Sequence, residues 1–227
     1  MKAFILFTAA LALLCTPQIR AADIAPSTVF DLKTWKLQIP GPQDIRNLQD
    51  YSSGYFKLNS DKEMWFHLNA AEKGVTPGAK YVRSELRHLP NWKVTEPHSM
   101  SAELRAISNL KPDKLTVLQI HGITESGGDA PPLLRVAINY GDLVAVIQTG
   151  NGRRDNETIV LTKGLRDKPV KIDVIVKAEQ LKINVNGEEK ISRSLAFWKY
   201  ANYFKAGCYP QATEGTAEVV FRTLTAE

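Results

Sequence analysis

Tyr203-Phe204-Lys205-Ala206-Gly207-Cys208-Tyr209-Pro210-Gln211 lies near the end of a chain of 227 residues. Read at the two-residue period of a β-strand, it places Tyr203, Lys205, Tyr209 and Gln211 on one face, with Phe204, Ala206 and Cys208 on the other. A half-buried strand needs an apolar face. It does not need the opposite face stocked with two phenols, an ammonium and an amide. The pattern recurs twice upstream. Tyr81-Val82-Arg83-Ser84-Glu85-Leu86-Arg87 sends Arg83, Glu85 and Arg87 to one side, and Leu118-Gln119-Ile120-His121 sends Gln119 and His121 to one side. Three such strands predict one sheet whose solvent face is a binding surface.

Working outward, alternating segments at 35–39, 55–58, 63–68, 99–107, 133–139, 143–149, 171–176, 180–186 and 217–224 are separated by turn residues such as Asn186-Gly187. There is no long amphipathic helix, no repeat and no interior linker. The chain therefore reads as all-β: a jelly-roll sandwich of two antiparallel sheets with a concave substrate groove, forming one domain over 23–227. Residues 125–132, just past His121, are expected to be a flexible loop where a lid would sit. Residues 150–157 are expected to be a second polar loop carrying Arg153 and Arg154.

The first 15 residues have a basic start and an apolar run, and Ala21-Ala22 follow. That pattern predicts a secretory signal peptide over 1–22, hence an extracellular or periplasmic protein with no membrane span. Its removal takes Lys2, Arg20 and Cys15, so 29 basic residues become 27 against 24 acidic ones, and only Cys208 remains of two cysteines. With no internal disulfide, stability must come from the core of a domain of about 200 residues, which buries about 70% of its unfolded surface.

The polar faces hold Arg83, Glu85, Arg87, Gln119, His121, Tyr203, Lys205, Tyr209 and Gln211. On adjacent strands these side chains can converge on one sugar unit. Cations plus amides favour a substrate bearing carboxylates, which arginine grips bidentately. Glu85 stands without a second carboxylate and is expected to orient its arginine neighbours, which disfavours the two-carboxylate route of glycoside hydrolysis. A uronic acid polymer offers another route. Neutralising its carboxylate acidifies the C5 proton, abstraction gives an enolate-like intermediate, and the C4–O bond breaks by β-elimination. The reaction needs a carboxylate neutraliser, a base and an acid, with His121 and Tyr209 as candidates for the last two. No cofactor is called for, and no His/Cys/Asp cluster has metal-ligand spacing. The basic residues sit beside a proton-transfer pair rather than among stacking aromatics, which argues against nucleic acid. His67, His88 and His98 receive no role, and Arg153-Arg154 reads as a solvated loop.

The motifs Arg83-Ser84-Glu85-Leu86-Arg87, Gln119-Ile120-His121 and Tyr203 to Gln211 resemble, in order, the three signature motifs of alginate lyases of polysaccharide lyase family seven. Trp35-Lys36-Leu37-Gln38-Ile39-Pro40 is similar to that family's opening strand, and the resemblance runs from about Phe30 to Leu224. It implies a jelly roll binding alginate, a polymer of mannuronate and guluronate, with Arg83, Gln119, His121 and Tyr209 catalytic. Arg83 and Gln119 would neutralise the carboxylate, and His121 and Tyr209 would move protons. Glu85 and Tyr203 would line the binding surface, with Arg87, Lys205 and Gln211 holding neighbouring sugar units. A monomer is expected. The chain departs from the pattern at Cys208, usually aliphatic, and at Pro210, usually asparagine. A non-catalytic carbohydrate-binding jelly roll and a lyase for another polyuronate such as glucuronan are the rival readings. The isoleucine at Ile120 resembles family members that prefer guluronate-containing blocks.

Overall fold

The alternating segments form strands because each carries apolar side chains at every second position, and two such faces closed on one another make the core. A computed structural model describes residues 23–41, 44–75 and 79–227, so the expected signal segment lies outside the described residues. After a 3-10 turn at Pro26–Thr28 come β1 (Trp35–Gln38), β2 (Phe56–Leu58), β3 (Met64–Asn69), β4 (Ser84–His88), β5 (His98–Ser108), β6 (Lys114–Ile123) and β7 (Asp129–Asn139). The chain continues through β8 (Asp142–Gln148), β9 (Asn156–Thr162), β10 (Val170–Lys177), β11 (Gln180–Val185), β12 (Glu188–Ser194), β13 (Ala201–Pro210) and β14 (Thr216–Ala226).

The strands make two seven-stranded antiparallel sheets, ordered β1-β4-β13-β6-β7-β8-β9 and β12-β11-β10-β5-β14-β3-β2. This is the expected all-β jelly-roll sandwich. The second sheet turns inward Met100, Ala102, Leu104 and Ala106 of β5, Phe66 and Leu68 of β3, and Ile172, Val174 and Val176 of β10. Against them lie Phe204, Ala206 and Cys208 of β13, Leu86 of β4 and Ile120 of β6, all fully buried. Cys208 is thus a core residue. Burial pushes its thiol well above the usual range, and its Sγ faces the Ala217 carbonyl at 3.7 Å.

The three motif strands are neighbours. β13 is paired on one side with β4, Lys205 opposite Arg87 and Gly207 opposite Glu85, and on the other with β6, Tyr203 opposite His121 and Lys205 opposite Gln119. The β13–β6 register shifts between Ala206 and Tyr209, and Gly207 sits in that irregularity at φ +151°. A Cβ there would lie 2.5 Å from the Ser84 carbonyl oxygen and 2.7 Å from the Glu85 Cα, so only glycine lets β4 come this close. Pro210 closes β13, two residues beyond the last pairing with β4 at Cys208 and still in register with Leu115 of β6. The Gln211 N–H donates to the Lys114 carbonyl at 2.8 Å, so pairing to β6 survives the proline.

Two loop expectations need correction. Asp129 to Pro132 belongs to β7, which runs back along β6 with His121 opposite Pro132 and Ile123 opposite Asp129. Only the turn around Thr124 to Gly128 remains of the expected lid. Asn156 and Glu157 open β9, an edge strand, rather than ending a loop. Gly207→Ala should destabilise the fold by about 2 kcal/mol or more, since the added methyl meets backbone on β4 in a strained conformation. Urea unfolding of the purified variant measures it, and an unchanged midpoint would contradict the close approach.

Candidate active site

Beneath the outward face of the first sheet lies Glu85, with no exposed surface. Its carboxylate pairs with the Lys205 ammonium, takes a hydrogen bond from the Gln119 amide and faces Arg83 Nη1 at 3.4 Å. Burial alone would raise the Glu85 pKa. The charges of Lys205 and Arg83, with hydrogen bonds from Lys205 and Gln119, outweigh it and hold the carboxyl below the usual range. Lys205 is equally buried, and desolvation pulls it down to about 8 against the opposing pull of Glu85. Its Nζ also donates to Gln38 Oε1 at 2.8 Å, and Gln38 Nε2 donates to Asp44 at 3.1 Å. Glu85 faces Arg83 as an orienting carboxylate would, while burial and pairing set Lys205 apart from the exposed side chains of the groove. Glu85 and Lys205 form a buried ion pair under the floor, and neither lines the groove.

Above this pair opens a groove of about 330 Å³ lined by, among others, Gln38, Tyr81, Arg83, Gln119, His121, Arg135, Gln148, Asn156, Tyr203, Tyr209 and Gln211. Its lining draws on β1, β13, β6, β7, β8 and β9, with Arg83 contributed from just ahead of β4. A larger recess of about 820 Å³ between Ser27–Lys33 and Arg46–Asp50 shares no lining residue with it and holds none of the motif side chains.

His121 Nδ1 lies 2.9 Å from the Gly122 carbonyl. A carbonyl only accepts, so Nδ1 carries the ring proton and Nε2 keeps its lone pair. Burial, then the Lys205 charge, pushes the imidazole down to about 4 against smaller opposing effects of the Gly122 carbonyl, Asp129 and Glu85. The ring is therefore a neutral, available base at ordinary pH. Asp129 Oδ1 sits 3.7 Å from Nε2, and Asp129 Oδ2 is held by Arg153 at 3.4 Å. The Tyr203 ring stacks on His121 with centroids 5.2 Å apart, and the Arg87 guanidinium lies 4.1 Å from the Tyr203 centroid. Since β13 runs between β4 and β6, Arg87, Tyr203 and His121 form a layered stack. Arg87 also donates to the carbonyls of His88 and Leu89 and to Asn91, which fixes it at the margin and leaves it outside the groove lining. Burial raises the Tyr203 phenol to about 12.

Tyr209 lies on the other side of Gln119 from His121, opposite Thr116. Its ring carries Arg83 at 4.5 Å and meets Tyr81 edge-on at 6.4 Å. Burial raises its phenol, partly offset by Arg83 and Arg135, so it holds its proton. Gln211 Nε2 donates to Thr116 Oγ1 at 2.6 Å at that end of the groove. The structure thus gathers Arg83, Gln119, His121, Tyr203, Tyr209 and Gln211 on one surface, with a neutral base and a protonated acid on either side of an amide and a guanidinium. His67, His88 and His98 sit outside the groove. His88 is a core ring whose Nε2 is 3.1 Å from Thr34 Oγ1. Among the described residues, no group of three or more His, Cys, Asp or Glu is placed to hold a metal ion.

A family model described as alginate lyase matches residues 30–227. The chain belongs to the alginate lyases of polysaccharide lyase family seven. A curated alginate lyase from Photobacterium sp. (strain ATCC 43367) is 28% identical over 184 residues, which is 63% of this chain and 65% of that protein, just under two thirds of its length. The crystal structure of alginate lyase A1-II', a member of polysaccharide lyase family seven, superposes at TM-score 0.83 with 29% identity, covering 89% of this chain and 98% of that one. A variant of that enzyme, altered at one histidine and one tyrosine and solved with a substrate written GGMG, gives the same TM-score at 28% identity, covering 89% and 96%. Alginate lyase PA1167 from Pseudomonas aeruginosa, 24% identical with TM-score 0.78 over 87% of this chain and 99% of that one, shares the fold.

Against the motifs of this alginate lyase family, sequence reading passed over Gln38, Asp129 and Arg135. Gln38 was legible as the outward residue of β1. Arg135 was legible as the single charge in an apolar strand. Asp129 was hidden in a stretch that composition assigned to a loop.

Removing one member of a buried ion pair leaves an uncompensated charge, at a cost of about 3–5 kcal/mol. Glu85→Gln should therefore lower stability by about that much, and Glu85→Gln combined with Lys205→Met by markedly less. Denaturant unfolding of the single and double variants checks the coupling.

Proposed function

We propose that the protein depolymerises alginate by β-elimination at the C4–O bond of uronate residues, as a secreted, endolytic enzyme that favours guluronate-containing blocks. The observation that carries this reading is the opposed pair on one groove: His121 kept neutral by burial and Tyr209 kept protonated by burial. Arg83 and the second amide hydrogen of Gln119 hold the substrate carboxylate, and their donor groups stabilise the charge that grows on it as the C5 proton leaves. His121 Nε2 takes that proton, and Tyr209 Oη delivers its own to the departing O4. Family membership supports the substrate class, and the relative solved with GGMG supports a histidine–tyrosine centre by the two residue types altered to obtain it.

In guluronate the C5 proton and O4 lie on opposite faces of the ring, so elimination needs a base and an acid on separate sides. In mannuronate they share a face, and a single tyrosine would have to lose a proton and then supply one. A tyrosine with a raised pKa is a poor base, which favours the two-residue route and hence guluronate blocks. Ile120, wholly buried behind Gln119 and His121, agrees with this preference. The groove lining spans seven strands, six gaps of ~4.8 Å or ~29 Å in all. Lining residues spread over that many strands suit contact with several successive sugars, which supports attack within a chain. The basic and apolar start of the sequence supports export. Among the described residues no helix is long and apolar enough to cross a membrane.

Tyr209→Phe keeps the ring and removes the proton donor, so turnover on alginate should fall about 100-fold or more with folding unchanged. Near-normal turnover in the folded variant would sink the assignment. The pH profile of kcat/KM on polyguluronate supplies a second check. The active form of His121 is neutral and its pKa is depressed to about 4, so activity should hold through pH 5 and fall only as pH drops through about 4. An acid limb at the ordinary histidine value, 6.5, would contradict the buried, neutral base.

A further inference from the structure

We propose that Arg135 binds the carboxylate of the sugar adjoining the one held by Arg83 and Gln119, so that two successive uronate charges are gripped on either side of Tyr209. This rests on the lyase reading and extends it to a residue outside the three motif strands. Arg135 stands on β7, directly opposite Gln119 of β6 and Val146 of β8, and lines the groove.

The charge state of its neighbours sets Arg135 apart. Arg83 faces Glu85 and Gln38, Arg87 is tied to two carbonyls and Asn91, and Arg153 is tied to Asp129. Arg135 is partly buried, yet among the described residues it makes no hydrogen bond or ion pair. Burial lowers its pKa and only Tyr209 opposes the effect, so among the described residues no carboxylate bears on it. A guanidinium keeps its charge in such surroundings. A half-desolvated cation facing an open groove is therefore unmatched until an anion arrives.

Topology fixes which anion. The strand order β4-β13-β6-β7 puts Arg83 on one flank of Tyr209 and Arg135 on the other. Tyr209 serves the oxygen joining two sugars, so the units on either side of that oxygen each present a carboxylate, one toward each arginine. Such a grip reads charge spacing along the chain and not the configuration at C5.

The test uses alginate oligosaccharides and calorimetry in a Tyr209→Phe background, where turnover does not consume the ligand. Arg135→Met should weaken binding by about 10-fold or more, Arg135→Lys should recover part of it, and the thermal midpoint of Arg135→Met should not fall. Partly carboxyl-reduced oligosaccharide should bind worse than the native one to the parent, with the difference shrinking in Arg135→Met. In the Tyr209 enzyme, KM should rise by a similar factor with kcat changed far less. Unchanged affinity in Arg135→Met, or equal loss with Arg135→Lys together with a lowered midpoint, would overturn the proposal. Turnover by the unmodified enzyme reports separately on the lyase reading. Active enzyme with unaltered Arg135→Met binding removes only the Arg135 site, whereas lost binding without any turnover on polyuronates removes only the lyase.

Discussion

A carboxylate cannot remain ionised inside a protein unless cations and donors replace the water it has lost, and the groove is built around that requirement at Glu85. Lys205, Arg83 and Gln119 answer it from three directions, and each is thereby fixed in place. Two of the three, Arg83 and Gln119, also face the groove. Their donor groups are thus oriented by the protein's own buried electrostatics before any substrate arrives, the condition under which hydrogen bonds stabilise developing charge most effectively. Gln38 extends the arrangement to β1, accepting from both Lys205 and Arg83.

The same burial that makes Glu85 demanding separates His121 and Tyr209, the two groups proposed to move protons. Desolvation disfavours whichever form is charged, so it drives the imidazole of His121 down and the phenol of Tyr209 up. One environment thereby yields a base that is free and an acid that is loaded. The stack of Arg87 on Tyr203 on His121 holds the base from the side, while Arg83 lies on the ring of the acid. Neither proton-transfer group needs a metal ion to set its charge state.

Period-two reading carried far because the inner faces of β5, β10 and β13 alternate without interruption, and the outward set of β13 retained its parity through Tyr209. It failed where a third dimension intervened. Lys205 has the parity of a groove residue, but Glu85 and Gln38 on neighbouring strands enclose it, and no local pattern reports that enclosure. Pro131 and Pro132 signal a loop, yet irregular pairing with β6 accommodates both inside β7. Asn156 and Glu157 looked like loop residues because an edge strand is allowed polar side chains on both faces. The charge of Arg135 is legible in its apolar segment, but that no described carboxylate matches it is disclosed only by the fold.

This groove is proposed to break a uronate chain by elimination rather than hydrolysis. Elimination leaves a C4–C5 double bond conjugated with the carboxylate at the new chain end, and hydrolysis does not. Ultraviolet absorbance recorded during incubation of the purified protein with alginate, its separated block polymers and glucuronan reads that bond directly. The expected result is a steady rise with alginate, fastest on guluronate-containing blocks and absent with glucuronan. Chain shortening without any rise in absorbance, or no reaction with alginate at all, would contradict the account.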